Sequence, residues 1–222
     1  QVCQSIGVTR LVLASTSPAR LALLRAGGIE PITISPGVDE EALTARSIEA
    51  GLIDTTAHMV QILAKAKAEA VLNHPDAAGA IVIGCDSSLD FDGKALGKPH
   101  QAEVAIARWK AMRGRAGTLF SGHWVIDNRN PVAGKLPPAA GRVSSTIVHF
   151  ADISDAEIDA YVATGEPLQV AGAFTIDGLG GAFLRSIEGD AHTVIGLSLP
   201  VLRELVISLD VEYPSLWNKK SP

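Results

Sequence analysis

One short apolar run, Ala80-Ile-Val-Ile-Gly84, leads directly into Cys85-Asp86. Five residues are too few for a stable helix. They are also too uniformly apolar for a half-exposed strand, so the run reads as a strand covered on both faces, the kind found in α/β sheets. The carboxylate of Asp86 then falls where the strand is expected to end, and open α/β sheets bind ligands beyond their strand ends.

The flanking segments fit the same plan. Residues 10–14 read as a strand followed by Ser15-Thr16-Ser17-Pro18, with Ser17 as N-cap and Pro18 in the first turn of a helix that stops at Gly27-Gly28. A second strand is expected at 32–35, then an acidic loop, Val38-Asp39-Glu40-Glu41. Residues 56–73 have helical periodicity, with Val60, Leu63, Ala64, Ala68 and Val71 on one face. A turn at 90–93 and Gly97-Lys98-Pro99 lead into a helix at 101–112. Strands are expected at 118–127 and 142–150, joined by a loop at 128–141 that contains Pro131, Gly134, Pro137 and Pro138. Ser154 and Glu157 form a capping box for a helix ending at Gly165; a Gly-rich stretch, 171–200, precedes a closing helix at 200–209. The expected organisation is a leader at 1–8, one α/β domain at 9–210, with two lobes around a cleft as the alternative, and a tail at 211–222.

Composition narrows the function classes. The chain has 222 residues, 47% of them hydrophobic, yet no stretch approaches the roughly 18 apolar residues of a membrane span. A soluble protein without a membrane partner is expected. A net charge of −5 argues against a nucleic-acid partner, which needs many neutralising cations. Cys3 and Cys85 suggest neither a disulfide framework nor a zinc site, so a reducing cytoplasm is expected.

Several residues are placed for chemistry. Ser15, Thr16 and Ser17 lie at a helix N-terminus, where hydroxyls, free N–H groups and the dipole favour an anion; Arg20, one turn on, would add a fork to phosphate. The plainer reading is that Ser17 only caps the helix and Arg20 is solvated. Lys67 lies on the apolar stripe of its helix, so it either snorkels to water or points into an anionic cleft. Asp86 can hold a divalent metal or accept a proton from water, or can simply shape a turn. Asp39 and Glu40 offer further oxygens, and Lys98 a further cation, although each also fits an ordinary surface role. Together, cations, hydroxyls and carboxylates describe a metal–triphosphate site.

Those residues sit in motifs that resemble the Maf family, named for septum formation and known for nucleotide pyrophosphatase activity. The resemblance runs through Leu13-Ala-Ser15-Thr-Ser17-Pro-Ala-Arg20, Asp39-Glu40, Leu63-Ala-Lys-Ala-Lys67-Ala68, Ile83-Gly-Cys-Asp86-Ser87, Gly97-Lys98-Pro99, Gly165-Glu166-Pro167 and the stretch from Glu188 to Leu197. It implies a Maf/ITPase-like α/β fold, a central mixed sheet flanked by helices, with a nucleotide-binding cleft, often in a homodimer. It also implies hydrolysis of a nucleoside triphosphate to the monophosphate and pyrophosphate with Mg²⁺ or Mn²⁺, as house-cleaning of the nucleotide pool. Carried over, Ser15, Ser17, Arg20, Lys67 and Lys98 would bind substrate. Asp86 would be the general base, Lys67 and Glu40 would serve catalysis, and Asp86 and Glu40 would hold the metal.

The departures from the family pattern concern the base more than the phosphates. Ala19 stands where a second arginine is common, and Asp177-Gly178 where Gln-Gly is frequent. An ionised Asp177 only accepts hydrogen bonds, which suits the N–H groups of a guanine edge. The surrounding residues resemble the branch that acts on methylated guanine nucleotides. The alternative is a nucleotide-binding regulator of septum formation with little hydrolysis. A kinase or serine hydrolase is disfavoured, since the chain has neither a P-loop nor a Gly-x-Ser-x-Gly elbow.

Overall fold

Leu11, Val12, Leu13 and Ala14 form β1 (Leu11–Ala14), and all four are buried. The computed structural model describes residues 7–218. Most of the expected leader, and Cys3 with it, lies outside that range. The chain leaves β1 through Ser15-Thr16-Ser17 and enters α1 (Pro18–Ala26), with Ser17 capping it and Pro18 in its first turn. A short β2 (Ile32–Thr33) pairs in parallel with β1. The expected acidic loop is instead a helix start. Asp39 is the N-cap of α2 (Glu40–Glu49), accepting from Ala42 N–H. Glu40 and Glu41 in the first turn complement the positive end of its dipole. α3 (Thr56–Ala70) follows, capped by Thr55.

The central strand departs most from expectation. β3 (Ala80–Phe91) does not stop at Gly84 but runs on through Asp86, Ser88 and Asp90. The cause is its neighbour β5 (Ala116–Asn128), which pairs antiparallel with it from Ala80↔Asn128 to Asp90↔Thr118. Backbone pairing thus continues past the point where side-chain polarity suggested an end. Asp92 and Gly93, both with positive φ, close a tight hairpin to β4 (Lys94–Leu96), which pairs back on β3.

After α4 (Ala102–Met112) and β5 comes β6 (Ala139–Phe150), which begins three residues before the expected 142. Gly141, expected in the loop, is a strand glycine opposite Trp124, whose indole fills the space a Cβ would need. α5 (Asp155–Ala163) has its capping box in place. Short 3₁₀ turns carry the Gly-rich stretch to β7 (Leu184–Glu188), α6 (Ala191–Ile195) and α7 (Leu199–Ser208). The seven-stranded sheet has the order β2-β1-β3-β5-β6-β7, with β4 also on β3. β1, β2 and β3 run parallel and the other pairings are antiparallel, the expected mixed sheet.

Alternate residues of each strand serve opposite layers. Leu13 and Ile83 pack with Leu24 of α1 and Leu202 and Val206 of α7, while Val12 and Val82 pack with Ala68 of α3. A third cluster, around Leu89, Trp109, Phe150 and Ile158, closes the far end of the long strands. Residues 211–217, expected as the start of a tail, are packed as well. Val211 and Leu216 are buried in the α7 cluster, and Thr9 N–H bonds Ser215 C=O.

Two glycines let α3 lie directly on the sheet. A Cβ on Gly84 would stand 2.2 Å from the Ala64 carbonyl oxygen, and one on Gly122 would stand 2.4 Å from that of Val60. Side chains there would lift the helix. Because Gly122 is paired with Asp86 across β3 and β5, this close approach sets the height at which Lys67 meets the sheet.

Candidate active site

The topology leaves a gap beside β3. β1 covers its outer edge over 81–84 and β4 covers it over 89–91, and neither pairs with 85–88. Asp86 and Ser87 lie in that gap. β1 ends at Ala14, so Ser15 arrives there from one side, while Gly97 and Lys98 leave β4 toward it from the other. Alternation sends Asp86 to the α3 face and Ser87 to the opposite face, so groups from both sides of the sheet meet at one edge.

On the α3 face, Lys67 Nζ stands 2.7 Å from Asp86 Oδ1 and 2.8 Å from Glu40 Oε1. Lys67 and Asp86 are both buried, whereas Glu40 is half exposed on the first turn of α2. Of its two sequence readings, Lys67 thus follows the one that faces an acidic cleft. Burial pushes the Asp86 carboxyl above its ordinary range, Lys67 and Arg20 pull it back, and Glu40 adds to the rise. A carboxylate set in that direction is a better proton acceptor from water than a solvated one.

On the other face, Arg20 is 9% exposed rather than solvated. Its Nε donates to Gly196 O at 2.8 Å, one Nη to Ser15 Oγ at 3.2 Å and the other to Ser87 Oγ at 3.1 Å. Every acceptor is neutral, and no carboxylate lies within ion-pair distance of it among the described residues. A buried guanidinium without a counter-ion is costly, so the site is electrostatically prepared for an anion. Ser17 is engaged in capping α1, where its Oγ accepts from Arg20 N–H, and its own N–H donates to Ser15 Oγ.

Lys98 and Asp177 stand apart from this cluster. Both are exposed and neither makes an ion pair among the described residues. The Lys98 loop is nonetheless fixed. Gly97 O accepts from Gly172 N–H and from Arg108, and His100 N–H donates to Leu168 O. Those bonds tie it to the segment that leads to Asp177.

Two placed residues escaped the sequence reading. Ser87 stood only as the neighbour of Asp86. Glu166 stood only as part of a motif, yet its carboxylate accepts from Tyr161 Oη, Thr175 Oγ1, Leu179 N–H and Gly180 N–H. Burial works to raise its pKa, and these donors outweigh it and hold the carboxyl below its ordinary range. A lone glutamate before a proline carries no sequence signal for such a cluster.

The residues fit a divalent cation that arrives with a polyphosphate better than one held by protein alone. Asp86 and Glu40 converge through Lys67, but no group of three or more His, Cys, Asp or Glu side chains suited to a metal occurs among the described residues. Asp39 is occupied in capping α2. Mg²⁺ commonly takes one or two carboxylates and completes its shell with phosphate oxygens and water. Two surface grooves, of about 540 and 520 Å³, lie along α4 and α7, and neither is lined by Asp86, Lys67 or Arg20.

Comparison with known proteins adds to this geometry. The family described as Maf-like protein matches residues 10–209. A protein of Leifsonia xyli subsp. xyli named nucleoside triphosphate pyrophosphatase is 54% identical, over 95% of this chain and 97% of its own length. One of the same name from Streptomyces coelicolor is 53% identical, over 94% of each. A nucleoside-triphosphatase / dITP/XTP pyrophosphatase structure from Mycobacterium abscessus aligns over 91% of this chain and 94% of its own at 13% identity, with a TM-score of 0.37, too distant to inform the site. The chain belongs to the Maf-like protein family.

Proposed function

We propose that the protein is a nucleoside triphosphate pyrophosphatase, hydrolysing its substrate to the monophosphate and pyrophosphate. The observation that carries the reading is Lys67 held between Asp86 and Glu40, at the same strand edge as an Arg20 that has no counter-ion. The relatives that share about half their residues with this chain bear that name.

Arg20, with Ser15 beside it, takes up phosphate charge from one face of the sheet. Lys67 takes it up from the other, and Lys98 adds an exposed cation from its fixed loop. Asp86 accepts a proton from the attacking water as the water oxygen bonds to the α-phosphorus. The bond from that phosphorus to the oxygen bridging to the β-phosphate breaks, and pyrophosphate leaves with the electron pair. Lys67 stabilises the charge that spreads over the phosphoryl oxygens, while Arg20 holds the phosphates throughout. Lys67 also favours the ionised form of Asp86 against the effect of its burial. A divalent cation, Mg²⁺ or Mn²⁺, held by Asp86 and Glu40 with phosphate oxygens, would supply further charge neutralisation and acidify water.

Asp177 is assigned the base edge, as an acceptor for the N–H groups of guanine or a methylated guanine; its exposed carboxylate, unpaired among the described residues, supports this. House-cleaning of nucleotide pools, a cytoplasmic setting and a homodimer complete the proposal. No helix among the described residues is long and apolar enough to cross a membrane. Release of pyrophosphate and monophosphate, measured across ordinary and methylated nucleoside triphosphates with each metal, tests the reading. Saturable nucleotide binding without any release would replace it with the regulatory binder.

A further inference from the structure

Ser87, Ser121 and Ser144 lie directly opposite one another on β3, β5 and β6, through the pairings Ser87↔Ser121 and Ser121↔Ser144. The three hydroxyls thus share one face of the sheet, the face away from α3, and α6 sits over them. Ser121, at the centre, has no exposed surface. Its Oγ lies 2.8 Å from Ser87 Oγ and 2.8 Å from the Thr193 carbonyl oxygen.

Donor counting fixes the direction of these bonds. A serine hydroxyl has one proton. The Thr193 carbonyl can only accept, so the Ser121 proton is committed to it. Ser121 therefore accepts from Ser87, and Ser87, its own proton spent, accepts from Arg20 Nη. The chain reads Arg20 N–H to Ser87 O–H to Ser121 O–H to Thr193 C=O, with each hydroxyl both accepting and donating. Such chains polarise in one sense along their length.

α6 anchors the far end twice. Its C-cap residue, Gly196, accepts directly from Arg20 Nε, and Thr193, within the helix, accepts through the serines. Both are carbonyl oxygens, so the guanidinium is oriented by neutral dipoles that leave its charge uncancelled. α6 is itself held in place. Thr193 Oγ1 donates to Asp190 Oδ2, which leaves it to accept from Ser144 Oγ, and Thr146 Oγ1 donates to Asp190 O.

We propose that Ser121 is a positioning residue that, through Ser87, fixes the Arg20 guanidinium in the geometry that binds the substrate's phosphates. The proposal rests on the reading of Arg20 as a phosphate ligand. Ser121 touches no substrate; its hydroxyl links Ser87, at the strand edge, to the Thr193 carbonyl of α6. Without it Ser87 loses its acceptor and is free to turn away from Arg20.

The test is binding of inorganic tripolyphosphate with Mg²⁺ to the full chain, read by calorimetry, together with KM and kcat for a hydrolysed nucleoside triphosphate. Ser121→Ala is expected to weaken tripolyphosphate binding and raise KM roughly tenfold, the scale of one hydrogen bond to a charged group, with a much smaller change in kcat. Ser121→Cys, close in size and still a weak donor, is expected to recover part of the loss. In an Arg20→Met background, Ser121→Ala should add no further loss. Ser87→Ala gives the same signature and serves if Ser121→Ala folds poorly. Normal binding in the serine variants, with Arg20→Met weakened, overturns the role of Ser121 alone. A full additional loss in the Arg20→Met background does the same. Normal binding in Arg20→Met overturns the phosphate reading and this proposal together.

Discussion

Lys67 donates to Asp86 across 2.7 Å, and both side chains are about nine-tenths buried. Each offsets the cost of the other's burial, Lys67 having Glu40 as a second partner, and the pairing leaves Asp86 ionisable with its pKa above the ordinary range. Loss of Lys67 takes away the largest opposing influence on that carboxyl. In Lys67→Met the Asp86 pKa is expected to rise further, because the ionised form loses its counter-charge. The acid limb of the kcat/KM profile should therefore move to higher pH. Stability at neutral pH should fall by about 3 kcal/mol, the cost of stranding one member of a buried pair. A pH–rate profile and a urea titration read the two effects separately.

The height of α3 over the sheet gives a second expectation. Gly84→Ala places a methyl 2.2 Å from the Ala64 carbonyl oxygen, which requires the helix to shift. The loss of stability is expected to be about 1–3 kcal/mol, as for other overpacked sites. Because Lys67 rides on the displaced segment, kcat should fall as well. Thermal unfolding and turnover of the same sample check both.

His123 makes folding sensitive to acid. Its Nε2 accepts from Ser198 N–H at 2.8 Å, so its proton is on Nδ1, facing the Arg142 carbonyl. Burial, with Arg20 adding to it, pushes its pKa down to about 4 against the opposing pull of the Arg142 carbonyl and Asp190. The unfolded chain binds a proton near pH 6.5 and the folded chain does not, so this stabilisation is present above pH 6.5. It is lost as pH falls toward 4, amounting to about 3 kcal/mol in all. His123→Gln should flatten that part of the stability profile, measured as urea midpoints between pH 7 and 4.

Glu166 is expected to govern the order of the Gly-rich turn. Glu166→Gln replaces an acceptor-only group with one that must donate, and it cannot satisfy all its present partners. A local loss of about 1–3 kcal/mol follows. Faster amide exchange at Leu179 and Gly180, with exchange in β3 unchanged, is the expected reading.

Local rules made much of this architecture legible. Ser17-Pro18 and the Ser154–Glu157 capping box place α1 and α5 because caps are satisfied within a few residues. The helical stripe placed Lys67 on the inward face, but left open whether its ammonium reached water or an anionic cleft. The errors came from interactions with no local trace. Asp86 is in mid-strand rather than at a strand end because β5, through Gly122 opposite it, continues the ladder. Asp39 is the exception: its cap on Ala42 N–H lies only three residues on, and an Asp followed by Glu40 and Glu41 is itself a helix-start signal that the acidic-loop reading passed over. Arg20 had both a phosphate-binding and a solvated reading in the sequence, and only the folded chain brings Gly196, Ser87 and Ser15 around it. Glu166 and Ser121 depend on partners that only the folded chain assembles.

The most direct test of the account is pyrophosphate release by Asp86→Asn beside the unaltered protein, with nucleotide affinity measured on both. The substitution nearly preserves volume and removes the proton acceptor. The account predicts retained folding and nucleotide binding, with turnover reduced by roughly 10²–10⁴-fold, the scale of a lost general base. Turnover equal to that of the unaltered protein would contradict it.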